Sequence, residues 1–293
     1  HEKLGHRVIL HDSWEEQPMY RPPEGMAHYD PCDFFGGNLN GIREKLPYLA
    51  SLGVSCIYLN PVFLSPSNHR YNTADYQRVD PMLGTEGDLR MLCAEAKKRG
   101  IHVMLDGVFN HTGDDSRYFN RGGFFDTPGA YQSKESPWYD WFCFQHWPDK
   151  YDAWWGIDTL PAVNENAPAY RDFIIRAQDS VIRRWLRCGA DGWRLDVADE
   201  LPMDYLRQLR ENVRAQRKDA FILGEVWEDA SNKISYGQMR CYCLGDTLDG
   251  VMNYPLREAA LEFLTGRIPA GAFKRRMDSL YENYPAPFAQ GLL

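Results

Sequence analysis

Two periodicities alternate along the chain: short apolar runs of strand length, and longer segments whose apolar residues recur every three or four positions. The short runs predict strands at residues 54–63, 101–105, 191–197, 220–227 and 250–254. The longer segments predict helices at residues 38–53, 86–99, 168–187, 203–217, 256–266 and about 270–283. Strands that alternate with helices form parallel sheets with right-handed crossovers. The order therefore predicts an α/β fold, a parallel (β/α) barrel whose site lies at the carboxyl ends of its strands.

Local signals refine the helix boundaries. Asn38 or Asn40 can cap the first helix, and Pro47 is expected to restart that helix rather than lie inside it. Thr85 is expected to cap the second helix, which Gly100 closes. These signals support the helix assignments independently of the apolar spacing.

The alternation of strands and helices breaks over residues 112–165, which are aromatic and irregular in pattern. This length is far above that of the usual connection between a strand and a helix. We therefore interpret the segment as a small inserted domain that covers one side of a cleft. The chain is accordingly divided into a first part of the barrel at 1–111, the inserted domain at 112–165 and a second part of the barrel at 166–293.

Composition narrows the class of protein. The chain has 293 residues, 44% of them hydrophobic and 25% charged, with a net charge of −8. The length and hydrophobic content suit one large α/β domain. The acidic balance argues against nucleic acid and against an anionic membrane surface as partners. No apolar run in the sequence reaches the ~20 residues that a membrane-spanning helix needs.

The cysteines and the amino terminus bear on the cellular compartment. The seven cysteines are an odd number, and Cys241 and Cys243 do not have the usual spacing of a zinc site. Free thiols in a reducing compartment are the expectation. The first residues do not have the shape of a signal peptide, although the chain starts without Met. Together these features predict a cytoplasmic protein.

The first candidate for chemistry is Asp196, which ends the predicted strand at 191–197. Arg194 lies two residues earlier and therefore on the same face of the strand. An arginine beside a buried carboxylate keeps it ionised, which is the state that a nucleophile needs. An alternative interpretation is an ion pair that only stabilises the strand end, because such pairs also occur without catalysis.

The second candidate is Glu225, which ends the next apolar run and has no basic neighbour in sequence. An apolar environment raises the pKa of a carboxyl group, which suits a general acid. A helix separates the two runs, so their strands should be parallel neighbours ~4.8 Å apart. The carboxyl groups of Asp196 and Glu225 should then lie roughly 5 Å apart, a separation typical of retaining glycosidases.

A third strand end carries Asp106, Asn110 and His111. A neutral His111 could donate a hydrogen bond to a sugar hydroxyl, and the alternative is a histidine of the core or of a loop. Asn110 could ligate a metal ion, but no carboxylate cluster nearby indicates a calcium site. We therefore expect neither a metal nor another cofactor.

Seven stretches of the chain resemble one family of enzymes. Three of them are similar to the first three conserved regions of the α-amylase superfamily: Asp106–His111, Gly192–Glu200 and Gly224–Trp227. Four more resemble its neopullulanase, cyclomaltodextrinase and maltogenic amylase branch: Phe34–Gly37, Ser65–Tyr71, Leu160–Asn164 and Val251–Pro255. The resemblance implies a (β/α)8 TIM-type barrel with a domain inserted after strand 3.

The resemblance also implies roles for single residues. It makes Asp196 the nucleophile and Glu225 the acid and base, with Arg194 orienting Asp196. It makes His111 and Tyr71 ligands of the sugar at the cleavage position, Tyr71 by stacking.

Further residues take supporting roles by the same resemblance. Trp227 would bind substrate, Asp106 would support Arg194, and Asn110 would support the site. The chain departs from the branch at Ala162, where a lysine is usual, and at Asp199, where an asparagine is usual.

The fourth conserved region of the family does not occur before the last residue, Leu293. We therefore expect a fragment that covers about strands 2–6 and stops before strand 7. We also expect this fragment to be inactive by itself, because the third carboxylate of the family would lie beyond it.

The resemblance implies hydrolysis of α-1,4-glucosidic bonds in maltooligosaccharides, cyclodextrins, pullulan or starch by double displacement. One alternative is an α-glucanotransferase, which uses the same residues and differs in its acceptor. Another is a non-catalytic glycan-binding relative, although such relatives tend to lose carboxylates that stand here. The expected partners are an α-glucan and a second copy in a homodimer, with neither nucleic acid nor membrane.

Overall fold

The computed structural model describes residues 6–19 and 31–293, and the chain divides after Ala190 into two compact units. We call them the first unit and the second unit. The seven cysteines all lie in the described ranges and are free thiols, as predicted. Within these same ranges, no helix combines the length and the apolar character needed to cross a bilayer.

The first unit holds short strands and amphipathic helices. In chain order they are β1 (Ile9–Leu10), β2 (Asp33–Phe34), α1 (Leu39–Ser51), β3 (Cys56–Leu59), β4 (Phe63–Leu64), β5 (Asp75–Val79), α2 (Glu86–Lys97), β6 (His102–Gly107), β7 (Phe144–His146), β8 (Lys150–Tyr151), α3 (Pro168–Arg171) and α4 (Val181–Cys188). β3 and β6 pair in parallel, with Leu59 opposite Leu105. The pairs β4–β5 and β7–β8 are antiparallel. The apolar face of α2, with Leu89 and Leu92, is fully buried.

The second unit continues the alternation of strand and helix. Its elements are β9 (Gly192–Leu195), α5 (Met203–Gln216), β10 (Phe221–Gly224), β11 (Ile234–Ser235), β12 (Gln238–Met239), β13 (Gly250–Val251), α6 (Tyr254–Leu264), α7 (Ala270–Asn283) and α8 (Ala286–Ala289). β10 pairs in parallel with β9 on one side and with β13 on the other. All three strands therefore point the same way, and the residues that follow them lie at one end of this sheet. The predicted parallel β/α architecture is confirmed in each unit.

Several predicted boundaries are wrong. Pro47 lies inside α1 rather than at a restart of the helix. The predicted helix at 168–187 is interrupted, because Ala177 is extended (φ −59°, ψ 153°) after a π-helical turn. The strand predicted at 250–254 ends at Val251. Tyr254 instead begins α6, because the Asn253 side chain accepts a hydrogen bond from the amide of Leu256 and caps the helix.

Residues 112–165 contain few regular elements beyond the β7–β8 hairpin and the 3₁₀ turns at Tyr139–Trp141 and Trp154–Gly156. Trp141 is buried against Tyr118, whereas Trp155 is exposed. The segment belongs to the same compact unit as the residues around it. Its assignment as a separate inserted domain stays a prediction.

The capping box of α2 yields a test of the local signals. The amide of Asp88 donates to Thr85 Oγ1 at 3.2 Å, and the amide of Thr85 donates to Asp88 Oδ2 at 2.8 Å. Replacing Thr85 with alanine should lower the free energy of unfolding by about 1 kcal/mol, because an amide of the first turn loses its acceptor. Urea denaturation measures this change. Thr127→Ala, at an exposed position, is the control and should change stability by less than about 0.5 kcal/mol. Equal losses in the two variants would contradict the capping assignment.

Candidate active site

The centre of the candidate site in the second unit is one arginine that holds two carboxylates. Arg194 lies on β9, and Asp196 and Glu225 directly follow the ends of β9 and β10. Arg194 Nη1 lies 2.6 Å from Asp196 Oδ1, and Nη2 lies 2.8 Å from Glu225 Oε2. The exposed fractions are 3% for Arg194, 6% for Asp196 and 9% for Glu225. The guanidinium therefore bridges two buried carboxylates at one end of the sheet.

Only half of this arrangement is visible in the sequence. The spacing of two residues predicts the pair of Arg194 and Asp196. The register of β9 and β10, with Leu195 opposite Gly224, brings Glu225 to the same guanidinium. This contact between neighbouring strands has no signature in the local sequence.

Glu225 differs from the expectation of a raised pKa. Burial raises its pKa, but the charge of Arg194 lowers it, as do hydrogen bonds from the Val197 amide, Trp227 and Tyr254, and the net shift is downward. Val197 N lies 3.0 Å from Oε2, and Trp227 Nε1 and the Tyr254 hydroxyl lie 3.1 and 3.0 Å from Oε1. The expectation is wrong because it considered only the apolar sequence neighbours. In this structure Glu225 is ionised at neutral pH.

Two residues of this site were assigned no role from the sequence, although both lie in the Val251–Pro255 stretch. Tyr254 contacts Glu225, and Met252 Sδ lies 3.4 Å from Arg194 Nε. Both follow β13, the third parallel strand of the second unit. Their position beyond a strand end is the signal that could have identified them, as it did Asp196.

The first unit carries a second cluster around Asp106, which lies on β6 and is buried. Its carboxylate accepts hydrogen bonds from the hydroxyls of Tyr58 and Tyr71, the latter at 3.0 Å. Tyr58 lies on β3, opposite Met104, and sequence reasoning missed it. Asp106 thus fixes the hydroxyl of Tyr71, and its predicted support of Arg194 stays a prediction.

His111 lies in the same cluster and is almost completely buried. Its Nε2 lies 3.2 Å from the carbonyl oxygen of Tyr71, and its Nδ1 lies 3.2 Å from Asn110 Nδ2. A carbonyl can only accept and an amide NH₂ can only donate, so the proton resides on Nε2. The ring stacks on Trp154 with centroids 5.3 Å apart. His111 therefore positions the backbone of Tyr71, and Asn110 fixes the tautomer.

Burial lowers the pKa of His111 to about 4, against its ordinary value of 6.5. The imidazole is therefore neutral at neutral pH. Within the described ranges, no three His, Cys, Asp or Glu side chains come together in a way that could hold a metal ion. The expectation that the protein needs no cofactor stays a prediction.

The structure thus groups the predicted site residues by unit. The second unit brings together Arg194, Asp196, Glu225 and Trp227. The first unit brings together Tyr71, Asp106, Asn110 and His111. Their catalytic and binding roles remain predictions.

Comparison with known proteins identifies the family of this chain. Residues 11–283 match the family described as alpha amylase, catalytic domain. The chain is 39% identical to an amylopullulanase of Thermoanaerobacterium saccharolyticum, over 96% of the chain and 24% of that protein. It is 37% identical to neopullulanase 2 of Thermoactinomyces vulgaris, over 88% of the chain and 42% of that protein. The chain therefore spans less than half the length of these curated relatives.

A solved structure extends the comparison to the fold. The cyclic alpha-maltosyl-(1→6)-maltose hydrolase of Arthrobacter globiformis is 30% identical and superposes with a TM-score of 0.79, covering 99% of this chain and 64% of that one. The predicted fold class, that of a (β/α) barrel, is confirmed. The amylopullulanases are relatives that the motifs did not indicate, whereas neopullulanase is one that they did. A match over nearly the whole chain, joined to paired carboxylates at parallel strand ends, places this chain in the alpha-amylase catalytic-domain family.

Proposed function

We propose that this protein hydrolyses glucosidic bonds of α-glucans by double displacement, with Asp196 as the nucleophile and Glu225 as the acid and base. The observation that carries the proposal is the Arg194 guanidinium, which holds both carboxylates at one end of the parallel strands. Relatives named for pullulan and for a cyclic maltosyl-maltose support an α-glucan as substrate. The linkage that we assign is α-1,4, in maltooligosaccharides, cyclodextrins, pullulan or starch.

In the first half of the reaction, an Asp196 oxygen attacks the anomeric carbon and the bond to the glycosidic oxygen breaks. Glu225 gives its proton to that oxygen as the leaving group departs. Because Arg194 holds Glu225 ionised in the free site, Glu225 must first take up a proton. A bound sugar excludes water, and such burial favours the neutral carboxyl group.

In the second half, a water molecule attacks the anomeric carbon and the bond to Asp196 breaks. Glu225 now accepts the proton of that water. Asp196 is a neutral ester at this stage, whereas the positive charge of Arg194 still faces the Glu225 carboxylate. The contacts that lower its pKa therefore suit its role as a base.

A groove in the second unit supports a place for the leaving group. It encloses about 510 Å³ and is lined by residues that include Trp227, Glu228, Pro255, Glu258 and Arg275. Trp227 is 43% exposed and donates to Glu225 through its indole N–H. An aromatic face and charged planar side chains are suited to sugar rings and hydroxyl groups. We assign this groove to the glucan chain on the leaving-group side.

The first test removes the nucleophile. Asp196→Asn in the full-length protein should lower turnover of maltotriose roughly a thousandfold or more, because the amide cannot form the covalent intermediate. Initial rates of glucose release measure this loss. Asp246→Asn, which removes a carboxylate from an exposed ion pair with Arg207, is the matched control and should keep turnover. Turnover of Asp196→Asn close to that of the control would refute the assignment.

The second test separates the two halves of the reaction. Glu225→Gln should lower turnover of maltotriose by roughly a hundredfold to ten-thousandfold. With α-maltosyl fluoride, whose leaving group needs no proton, it should still release a burst of one fluoride per site. Steady release should then stop, because the glutamine cannot activate water. Fluoride release measured by stopped flow distinguishes burst from steady state. Glu211→Gln, at an exposed position of α5, is the control, and the lack of a burst would count against double displacement.

The third test concerns His111, whose neutral imidazole contacts the backbone of Tyr71. Tyr71 is the residue that we propose stacks on the sugar. The unfolded chain binds the proton of His111 more tightly than the folded protein does. The contribution to stability is therefore complete above the ordinary pKa of 6.5 and is lost as the pH falls toward about 4.

From pH 7 to about pH 5, the wild type should lose roughly 2 kcal/mol more free energy of unfolding than His111→Asn does. Urea denaturation at the two pH values measures the difference. His102→Asn, at an exposed position of β6, should follow the wild type. A pH dependence that is the same in His111→Asn and in the wild type would contradict burial of the neutral imidazole.

A further inference from the structure

The turn that follows Asp196 contains a strained residue. Val197 has a φ of +40°, a left-handed conformation that a β-branched residue rarely adopts. Such strain persists only where surrounding contacts enforce it, and it concentrates at functional sites. In this conformation the amide of Val197 donates to Glu225 Oε2 at 3.0 Å, and the amide of Ala198 donates to the Glu225 carbonyl oxygen at 3.1 Å. The strain therefore directs two consecutive amides at the residue that we propose as acid and base.

A buried arginine holds this turn from outside. Arg240 follows β12 and is only 4% exposed. Its Nη2 donates to the carbonyl oxygen of Ala198 at 3.2 Å and to that of Leu201. Its Nε donates to the hydroxyl of Tyr242 at 2.9 Å, and that hydroxyl donates to Asp199 Oδ1 at 2.6 Å.

Burial of the Arg240 guanidinium is costly unless hydrogen bonds compensate for the loss of water. A buried guanidinium without hydrogen-bond partners would destabilise the fold. Here its planar fork matches two carbonyl oxygens of one turn and the Tyr242 hydroxyl, a geometry that a lysine cannot reproduce. These hydrogen bonds connect Arg240 to the 197–201 turn. The contacts described for Asp196 do not include Arg240, so they do not explain why Arg240 is buried.

We propose that Arg240 is a positioning residue of the active site, which holds the 197–201 turn in the strained form that aims the Val197 amide at Glu225. The catalytic meaning of this contact rests on the proposed function. Arg240 touches neither carboxylate of the proposed reaction in the contacts described above, so it acts through the turn.

The structure shows which charged and titratable groups face Glu225. Glu225 faces the cation of Arg194 on β9, which it shares with Asp196, and the hydroxyl of Tyr254 on α6. A substitution of Arg240 leaves these groups in place. We therefore expect the change that it causes at Glu225 to report the Val197 amide.

The surroundings of Arg240 are also charged. Tyr242 and Asp199 belong to its own network, Lys233 Nζ lies 3.3 Å from Asp199, and the Tyr236 hydroxyl donates to Glu200. Asp199 and Glu200 belong to the turn itself, and none of these groups makes a described contact with Glu225.

The test is the pH profile of kcat/KM in Arg240→Met and Arg240→Lys, measured on maltotriose with the full-length protein. Glu225 must be protonated to act as an acid, so activity falls as the pH rises through its pKa. Loss of the Val197 amide removes a donor from the ionised form and raises that pKa. The alkaline limb should therefore move up by about one pH unit. Arg207→Met, which removes an exposed arginine of α5, is the matched control and should leave the limb in place.

A second substitution separates positioning from a loss of structure. Glycine adopts a φ of +40° without strain, so Val197→Gly should keep the turn in shape even when Arg240 no longer enforces it. The double variant Arg240→Met with Val197→Gly should return the alkaline limb to within about 0.3 pH units of wild type, although its stability stays low. A purely structural role of Arg240 predicts no rescue of the limb.

The possible outcomes distinguish a failure of the inference on Arg240 from a failure of the proposed function. An unmoved alkaline limb in active Arg240→Met and Arg240→Lys variants, or a moved limb that Val197→Gly does not restore, overturns the inference. Absence of α-glucan turnover in the wild type refutes the proposed function instead. In that case crystal structures of wild type and Arg240→Lys still decide the positioning, because a positive φ at Val197 and its contact with Glu225 should be lost in the variant. Retention of both contradicts the inference.

Discussion

The candidate site of the second unit depends on the buried guanidinium of Arg194, which pairs with the carboxylates of both Asp196 and Glu225. Burial disfavours the negative charge of these carboxylates unless it is paired or hydrogen-bonded. The surrounding N–H and O–H groups of Val197, Trp227 and Tyr254 all donate to Glu225 and disperse that charge. Because both carboxylates share one cation, neutralising either of them changes the field at the other.

The first unit also contains buried polar groups, which are held by hydroxyl, amide and carbonyl partners. The carboxylate of Asp106 is buried and accepts from the hydroxyls of Tyr58 and Tyr71. The imidazole of His111 is kept neutral by burial and is fixed by an amide and a carbonyl. Hydroxyls and a neutral ring orient groups without adding a mobile charge. The cluster is therefore suited to holding Tyr71 still.

Much of the fold and of the site follows from local sequence, and the limits are physical. The cap at Thr85 and the alternation of strands and helices are local, and both were predicted. The ionisation of Glu225 was predicted with the wrong sign, because its partners come from a neighbouring strand and from α6. Tyr58 escaped notice for a similar reason, since only the pairing of β3 with β6 brings it to Asp106.

The loop after Glu225, which contains the β11–β12 hairpin, differs from most surface loops because it contacts the active-site turn. Surface loops of enzymes usually tolerate insertions and exchanges, which is how one scaffold acquires new specificities. Here the Arg240 guanidinium, which directly follows the hairpin, is buried and donates hydrogen bonds to the carbonyl oxygens of Ala198 and Leu201. A graft that replaced residues 228–246 to alter specificity would therefore remove a support of the nucleophile's own turn. Loop engineering in this chain should treat Arg240 and Tyr242 as part of the scaffold and confine variation to the exposed tip at Tyr236 and Gly237.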